Sequence, residues 1–567
     1  MGCEVNAELI RALEERIKEG KGDIIKLKRA RNSLLNISVR VPPEILGRIF
    51  VWSLGRARNH TLCSDLHFDR PPKGPYNFLL VCHHWFEVAS CTPELWNFWG
   101  NTLQDWDKQY PHSGAIPLDL VLDGYSARHP GVVLDGPLRD ALRECVTQDK
   151  IRQIHIRGHH DNLDLASIIS PMIPDGEGIQ EKRIESIIFQ LVVKETTAEL
   201  SKFFARVHLP KLRYLDISGN LQISSWDHLT SQTTCLTALS LQLILPSPAL
   251  TTCQLFSLLA LNPNLRELTL HRAAIPDDID GPVFRLPLHH LESIFLAGEL
   301  RLVLRLLHRL ELPAALNSMT LEVNSSTIED VLQTLGPYMR DHFRRDIRFQ
   351  DRLWITTSSL YGHVGISVSP AGDRLDQIHW PEQKPPLAEF VVYPTGPLPD
   401  PVMEELLLDW MAFTPREHVV CFKAEDRGKI PELFVAMPNI EMLWLCDAIF
   451  SEGFLQPAPG EPHANTKLLP SLRSLKLEDV VLEDGNWDHL TTYLAHQISD
   501  DQVLSLQVTG DIPLMPPEVA DEIRGLVEEF VYYPIPFVYS RCDCGCDRLD
   551  EDNEEDEHGD YEGHEEG

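Results

Sequence analysis

The chain has 567 residues, more than one ordinary compact core accommodates, so several domains or an extended repeat array are expected. Acidic residues outnumber basic ones 84 to 51, a formal net charge of −33, which argues against nucleic acid and anionic membrane and leaves basic or neutral proteins as partners. The cysteine spacing gives no disulfide framework and the start Met1-Gly2-Cys3-Glu4 has no apolar signal core, so a reducing compartment, cytoplasmic or nuclear, is expected.

The first element in chain order is a helix over 5–37. Leu9, Leu13, Ile17, Ile24, Leu27 and Leu34 recur at spacings of three, four and seven, with charges between them. Two readings stay open: a short coiled-coil or dimerising segment, and an amphipathic helix lying on the neighbouring domain. The second element spans 41–99. Pro42-Pro43-Glu44 suits a first helical turn, and Ile45, Leu46, Ile49, Phe50 and Trp52 then form a broad apolar face that Gly55 ends. A polar loop at 56–75 leads to a second helix carrying Phe78, Leu79, Val81, Cys82, Trp85, Phe86, Val88 and Ala89. Thr92-Pro93-Glu94 reads as a cap and first turn before Leu95-Trp96.

These three strings carry a family resemblance. Val41-Pro42-Pro43-Glu44-Ile45-Leu46-x-x-Ile49-Phe50, then Leu80-Val81-Cys82-His83-His84-Trp85-Phe86-x-Val88-Ala89, then Pro93-x-Leu95-Trp96 resemble the sub-motifs of an F-box in their order. Val41 stands where the family has leucine, and the loop between the halves is long. The stretch Ser113 to Leu120 resembles the segment after the F-box in a large mushroom-type fungal subfamily. The resemblance implies a helical module at 39–100 that docks a Skp-family adaptor and, through it, a cullin. It also implies adaptor-binding residues Pro42, Pro43, Ile45, Leu46, Ile49, Phe50, Leu80, Val81, Cys82, Trp85 and Trp96. The alternative for each residue is a place in the module's own core.

Beyond 101 the pattern apolar-x-x-apolar-x-apolar recurs. It stands at Ile151/Ile154/Ile156, Ile184/Ile187/Phe189, Leu212/Leu215/Ile217, Leu236/Leu239/Leu241, Leu265/Leu268/Leu270, Leu291/Ile294/Leu296 and Leu316/Met319/Leu321. It returns at Ile440/Leu443/Leu445, Leu472/Leu475/Leu477 and Val503/Leu506/Val508. Steps of 24 to 33 residues between first positions bracket the upper end of a leucine-rich-repeat period. Four units share a proline-containing entry: Leu209-Pro210-Lys211-Leu212, Asn262-Pro263-Asn264-Leu265, Met437-Pro438-Asn439-Ile440 and Leu469-Pro470-Ser471-Leu472. Between 322 and 435 the period blurs, and Leu353-Trp354-Ile355-Thr356, Val364 to Val368 and Phe390 to Tyr393 read as strands. The alternative to a repeat array is an ordinary α/β domain with leucine-rich strands.

Residues 547–567 hold twelve Asp/Glu and one basic residue, Arg548, so a disordered acidic tail is expected. Just before it, Cys542, Cys544 and Cys546 are candidate ligands for a soft metal, but only one arm of a zinc site is visible, so no metal and no cofactor are assigned. No phosphate loop, nucleophile elbow, metalloprotease motif or dinucleotide fingerprint is present. His159-His160-Asp161 and His289-His290-Leu291-Glu292 are the nearest polar clusters.

The expected fold is an α N-terminal F-box (a helical bundle), then an α/β leucine-rich-repeat-like solenoid over 101–540, irregular at 322–435, then a cysteine cluster and disordered acidic tail over 541–567. An amphipathic helix over 1–38 precedes them. The expected function is non-catalytic: a substrate-recognition subunit of a Skp–cullin–F-box ubiquitin ligase whose repeat region binds an unidentified protein. The alternatives are a non-degradative protein-interaction scaffold and an enzyme within 322–435.

Overall fold

In the computed structural model all ten apolar triplets become β-strands, with the second and third apolar residues of each on one strand face, as a two-residue period requires. The structure describes residues 2–18, 27, 31, 41–58, 76–99, 116–123, 136–159, 168–173, 180–192, 198–219, 223, 226–243, 250–272, 275–276, 285–313, 316–325, 328–345, 348, 353–358, 364–370, 388–394, 416–425, 437–446, 449–450, 469–482, 487–497, 504–510, 512 and 514–534. They fall into two units, Met1–Val323 and Asn324–Gly567.

The first unit begins with helices α1 (Gly2–Lys18), α2 (Pro43–Arg58), α3 (Tyr76–Leu79) and α4 (His83–Ser90). The strands follow: β1 (Phe98–Trp99), β2 (Leu118–Asp123), β3 (Ile151–His159), β4 (Ser186–Val192), β5 (Tyr214–Gly219), β6 (Ala238–Leu243), β7 (Glu267–Arg272), β8 (Ser293–Glu299) and β9 (Ser318–Ser325). β1 to β8 pair in chain order, all parallel. The amides of Asn317 and Ser318 donate to Glu292 O, which ties the entry of β9 to β8. The register places Leu120, Ile154, Ile187, Leu215, Leu239, Leu268 and Ile294 in one row across the sheet. None of the seven is more than 2% exposed.

Helices cover this leucine face. Between strands run α5 (Gly136–Thr147), α6 (Ala198–Arg206), α7 (Asp227–Gln232), α8 (Thr252–Leu261) and α9 (Leu300–Arg309). Phe203 and Phe204 of α6 are buried, and Phe204 meets Phe189 of β4 edge-on, with ring centroids 6.4 Å apart. Thr251 and Gln254 form a reciprocal capping box at the start of α8. At the end of β5, Gly219 has φ +103°, and a Cβ there would stand 1.8 Å from Leu191 O, so only glycine closes this strand against β4.

The four proline-containing tetrapeptides share one geometry. In each, the amide of the fourth residue donates to the carbonyl of the first: Leu212 to Leu209, Leu265 to Asn262, Ile440 to Met437 and Leu472 to Leu469, at 3.1 to 3.4 Å. Proline at the second position of such a turn presets its φ. The first residue of each turn is buried, and in one of them it is polar. Asn262 Oδ1 accepts from the Leu236 amide, and its Nδ2 donates to Thr233 O and Leu258 O. One side chain thus ties the end of α8 to the turn before β6.

The second unit opens with α10 (Ile328–Arg345). Its strands are β10 (Leu353–Ser358), β11 (Val364–Pro370), β12 (Ala388–Pro394), β13 (Val419–Glu425), β14 (Met442–Cys446), β15 (Ser474–Glu478), β16 (Ser505–Gly510) and β17 (Glu529–Pro534). β10, β11 and β12 form an antiparallel ribbon. β10 also pairs parallel with β13, and β13 to β17 continue in parallel. Helices α11 (Asp488–Gln497) and α12 (Pro517–Leu526) connect the last strands. On β14, Trp444 lies between the ammonium groups of Lys423 and Lys476, at 3.9 and 3.7 Å from its ring.

This architecture corrects the expected fold class. Each unit is α/β, a mostly parallel sheet with helices, and the chain is not a helical F-box bundle followed by a leucine-rich-repeat-like solenoid. The periodic triplets specify strands and their buried faces, and that information is shared by any parallel sheet with leucine rows. The N-terminal helices make no separate bundle: they belong to the same unit as the sheet, and Trp96 leads directly into β1. The Asp119 amide of β2 donates to Asn97 O at 2.7 Å, which stitches that junction into the ladder. Inside the blurred segment 322–435, the three strand readings are found within β10, β11 and β12. The helix expected over 5–37 is found over Gly2–Lys18; most of 19–40 and all of the acidic tail lie outside the described residues.

Asn262→Leu keeps the branching at Cγ but leaves the buried Leu236 amide and two carbonyls without these partners. A destabilisation of about 3 kcal/mol is expected, roughly 1 kcal/mol for each lost bond. Urea unfolding followed by circular dichroism measures it, and an unchanged midpoint refutes the role given to this side chain.

Candidate functional site

α2 carries two apolar stripes at helical spacing. The inner stripe, Leu46 and Phe50, is buried with Val88, Ala89, Leu95 and Trp96 in a small core. Phe50 stacks on Phe78 with ring centroids 4.5 Å apart and meets Trp85 at 4.8 Å. Trp96 Nε1 donates to Ala89 O at 2.7 Å, satisfying the indole of a buried ring. Gly47 lets α2 approach Thr92: a Cβ there would stand 2.8 Å from Thr92 Oγ1, which itself donates to Val88 O. This core fixes α2 against α4 and leaves the other stripe outside.

The outer stripe is Ile45, Ile49 and Trp52, spaced i, i+4 and i+7, and 47%, 49% and 69% exposed. Leu80 and Val81, in the turn after α3, are 83% and 53% exposed, and Phe86 of α4 is 48% exposed. Of the eleven large hydrophobic side chains exposed among the described residues, these six fall within 42 residues of chain, on elements sharing one core. Scattered exposed apolar residues need no explanation, but such a concentration marks an interaction surface. Charged groups flank it: Glu44 and Arg48 are exposed on α2, and His83 and Glu87 pair at 3.2 Å along α4.

The candidate adaptor-binding residues therefore divide. Pro42, Pro43, Ile45, Ile49, Leu80 and Val81 are exposed and belong to the face. Cys82 and Trp85 are half-buried at its edge. Leu46, Phe50 and Trp96 are buried in the core beneath it. Trp52 and Phe86 belong to the face, although they were not among the anchors read from sequence. Their signal was present: Trp52 extends the Ile45/Ile49 stripe by one turn, and Phe86 lies two residues before the buried Val88.

The remaining candidates give no second site. His289 and His290 are exposed in the turn before β8, and His159 ends β3. Among the described residues no group of three or more His, Cys, Asp or Glu is placed to hold a metal. Cys542, Cys544 and Cys546 lie outside the described residues. Among the described residues no helix is long and apolar enough to cross a membrane.

The opposite face of the first sheet is polar. Its register sets His155, Ile188, Asp216, Ser240 and Thr269 in one row, and Arg157, Gln190, Ser218, Gln242 and His271 in the next. Asp216 is buried. Gln190 Nε2 donates to its Oδ2 at 3.0 Å and the Ser240 hydroxyl also donates to the carboxylate, while Oδ1 is buried with no hydrogen-bond partner. Burial pushes this carboxyl up to about 6, against the two hydrogen bonds that favour its charged form.

No protein-family model matches this sequence, and no curated protein matches it either.

Leu46→Ala is expected to cost about 3 kcal/mol of stability, in the range for emptied leucine sites, and Ile45→Ala less than about 0.5 kcal/mol. Urea titration followed by tryptophan fluorescence separates them, and equal costs refute the inside–outside division of α2. For Asp216 the folded value lies above the ordinary 3.8, so the stability of its neutral form is present below about pH 4 and is lost as pH rises through about 6. Asp216→Asn should therefore raise the unfolding free energy measured by urea titration at about pH 8, by on the order of 2 kcal/mol, with the gain shrinking toward pH 4. A pH-independent difference contradicts the assignment.

Proposed function

We propose that this chain is the substrate-recognition subunit of a Skp–cullin-type ubiquitin ligase. In this reading the N-terminal helices dock a Skp-family adaptor, the adaptor brings the cullin, and the rest of the chain holds a protein substrate. The observation that carries it is the outer stripe Ile45, Ile49 and Trp52 with Leu80, Val81 and Phe86: apolar side chains held in water by a helix whose other stripe is a packed core. Support also comes from the sequence, where Ile45, Ile49, Leu80, Val81 and Phe86 lie within the strings that resemble an F-box and Trp52 lies two residues beyond the first.

The physical basis is helix-in-groove recognition. Each aliphatic or aromatic side chain moved from water into a partner groove contributes roughly 1.5–3 kcal/mol, and the sum must exceed the cost of association. The chain supplies no bond-making group in this role. Its contribution is proximity, holding a substrate lysine near a charged ubiquitin carrier. A cytosolic or nuclear location follows from the role, and basic or neutral substrates suit the charge of −33.

The test is a pull-down from a eukaryotic extract with the full chain and its Ile45→Asp/Ile49→Asp variant. Both positions are exposed, so the variant keeps the core and should give the wild-type circular dichroism spectrum and melting temperature. The wild type should retrieve a Skp-family adaptor and a cullin, and the variant should lose at least about 100-fold in adaptor affinity. A folded wild type that retrieves neither ends the ligase reading, and the exposed face then belongs to a non-degradative scaffold.

A further inference from the structure

We infer that the polar face of the first unit's sheet holds a subsite for a lysine or arginine side chain of a protein partner, with Asp216 Oδ1 as its acceptor. The inference is independent of adaptor docking, which uses the N-terminal helices. Its basis is an acceptor left over after the neighbours have been used. Gln190 and Ser240 each donate to the carboxylate, and Gln242 Nε2 donates in turn to Ser240 Oγ at 3.3 Å. This chain of amides and hydroxyl fixes the carboxylate's orientation and leaves Oδ1 buried without a partner. A neutral asparagine could take the same two neighbours at less cost, so a carboxylate here is explained by what its charge attracts.

The surroundings select the ligand. Tyr214 and Ser218 on the same strand face, and Gln190 and Ser240 on the flanking strands, are half-buried, whereas Asp216 itself is only 3% exposed. The carboxylate is therefore recessed among side chains that reach the surface. Oδ1 is closed off by these side chains, so a ligand reaches it only by parting them, which suits a slim chain ending in N–H donors better than a broad apolar one, while a carbonyl or carboxylate is repelled. A hard divalent cation needs several oxygen ligands, and the neighbours offer amides and one hydroxyl beside a single carboxylate. Charge-assisted bonds from an ammonium or guanidinium are the strong complement to a desolvated carboxylate, and the net charge of −33 draws basic proteins to the chain.

The experiment uses arrays of nine-residue peptides, randomised except for a fixed central Arg, Lys, Gln or Leu, probed with the full-length chain at physiological salt. Wild type should prefer Arg or Lys over Gln by about tenfold. Asp216→Asn should abolish most of that preference, while Asp488→Asn, an exposed carboxylate on α11, should keep it. Attraction to the acidic tail is common to all three and cancels. A second variant, Ser240→Lys, places a tethered ammonium directly opposite Asp216 on β6 and should remove the preference in the same way, whether or not Asp216→Asn folds. The inference is overturned by a wild type without the preference, by Asp216→Asn retaining it, or by a folded Ser240→Lys retaining it.

Discussion

In-register parallel pairing is the constraint on which the first unit depends. Seven buried aliphatic residues, from Leu120 to Ile294, line up across seven strands only because each ladder keeps its register. A slip of one residue in any pair would turn a leucine row onto the polar face and expose it. The proline-containing turns guard against this by starting strands in both units with the same hydrogen bond. Asn262 does the same work with its side chain, because its three partners are backbone groups that have no other outlet. Once the leucine face is committed to the helices, the other face is free to be polar.

The N-terminal helices use a related division on a smaller scale. A helix with one apolar stripe buries it and stops. α2 has two, and the core under it buries Leu46 and Phe50 with Val51 packed beside them. Gly47 and Thr92 bring α2 close to the segment after α4, which settles which stripe faces in. The remaining stripe stays in water at a solvation cost of the kind that a partner removes. Because the buried stripe orients the exposed one, damage to Leu46 or Phe50 and damage to Ile45 or Ile49 have different origins even where both abolish binding.

Asp216 shows the same tension between stability and recognition. A desolvated carboxylate with one unused oxygen weakens the folded state at neutral pH, and the neighbouring Gln190 and Ser240 offset only part of that. Residues that cost stability in a well-packed region are where a protein's interactions concentrate. The two surfaces differ in chemistry, one apolar and the other polar around a buried carboxylate, so they suit different partners.

By itself the sequence determined most of the strands and, for the ten with apolar triplets, their buried faces. The apolar triplets encode a two-residue period, and the tetrapeptides with proline encode the turn before four strands, because both depend on neighbours within a few residues. It also located the N-terminal helices and most of the exposed face. What it could not decide was which of two adjacent stripes on α2 turns inward, since Ile45 and Leu46 are equally apolar and only the packing of Phe78, Trp85 and Thr92 distinguishes them. Nor could it decide how the strands assemble: a repeat of leucines fits several parallel architectures, and the antiparallel ribbon of β10 to β12 arises from long-range pairing that no local period records. Asp216 was invisible for the same reason. It follows Leu215 in an ordinary strand, and its burial and unused oxygen exist only because β4 and β6 bring Gln190 and Ser240 beside it.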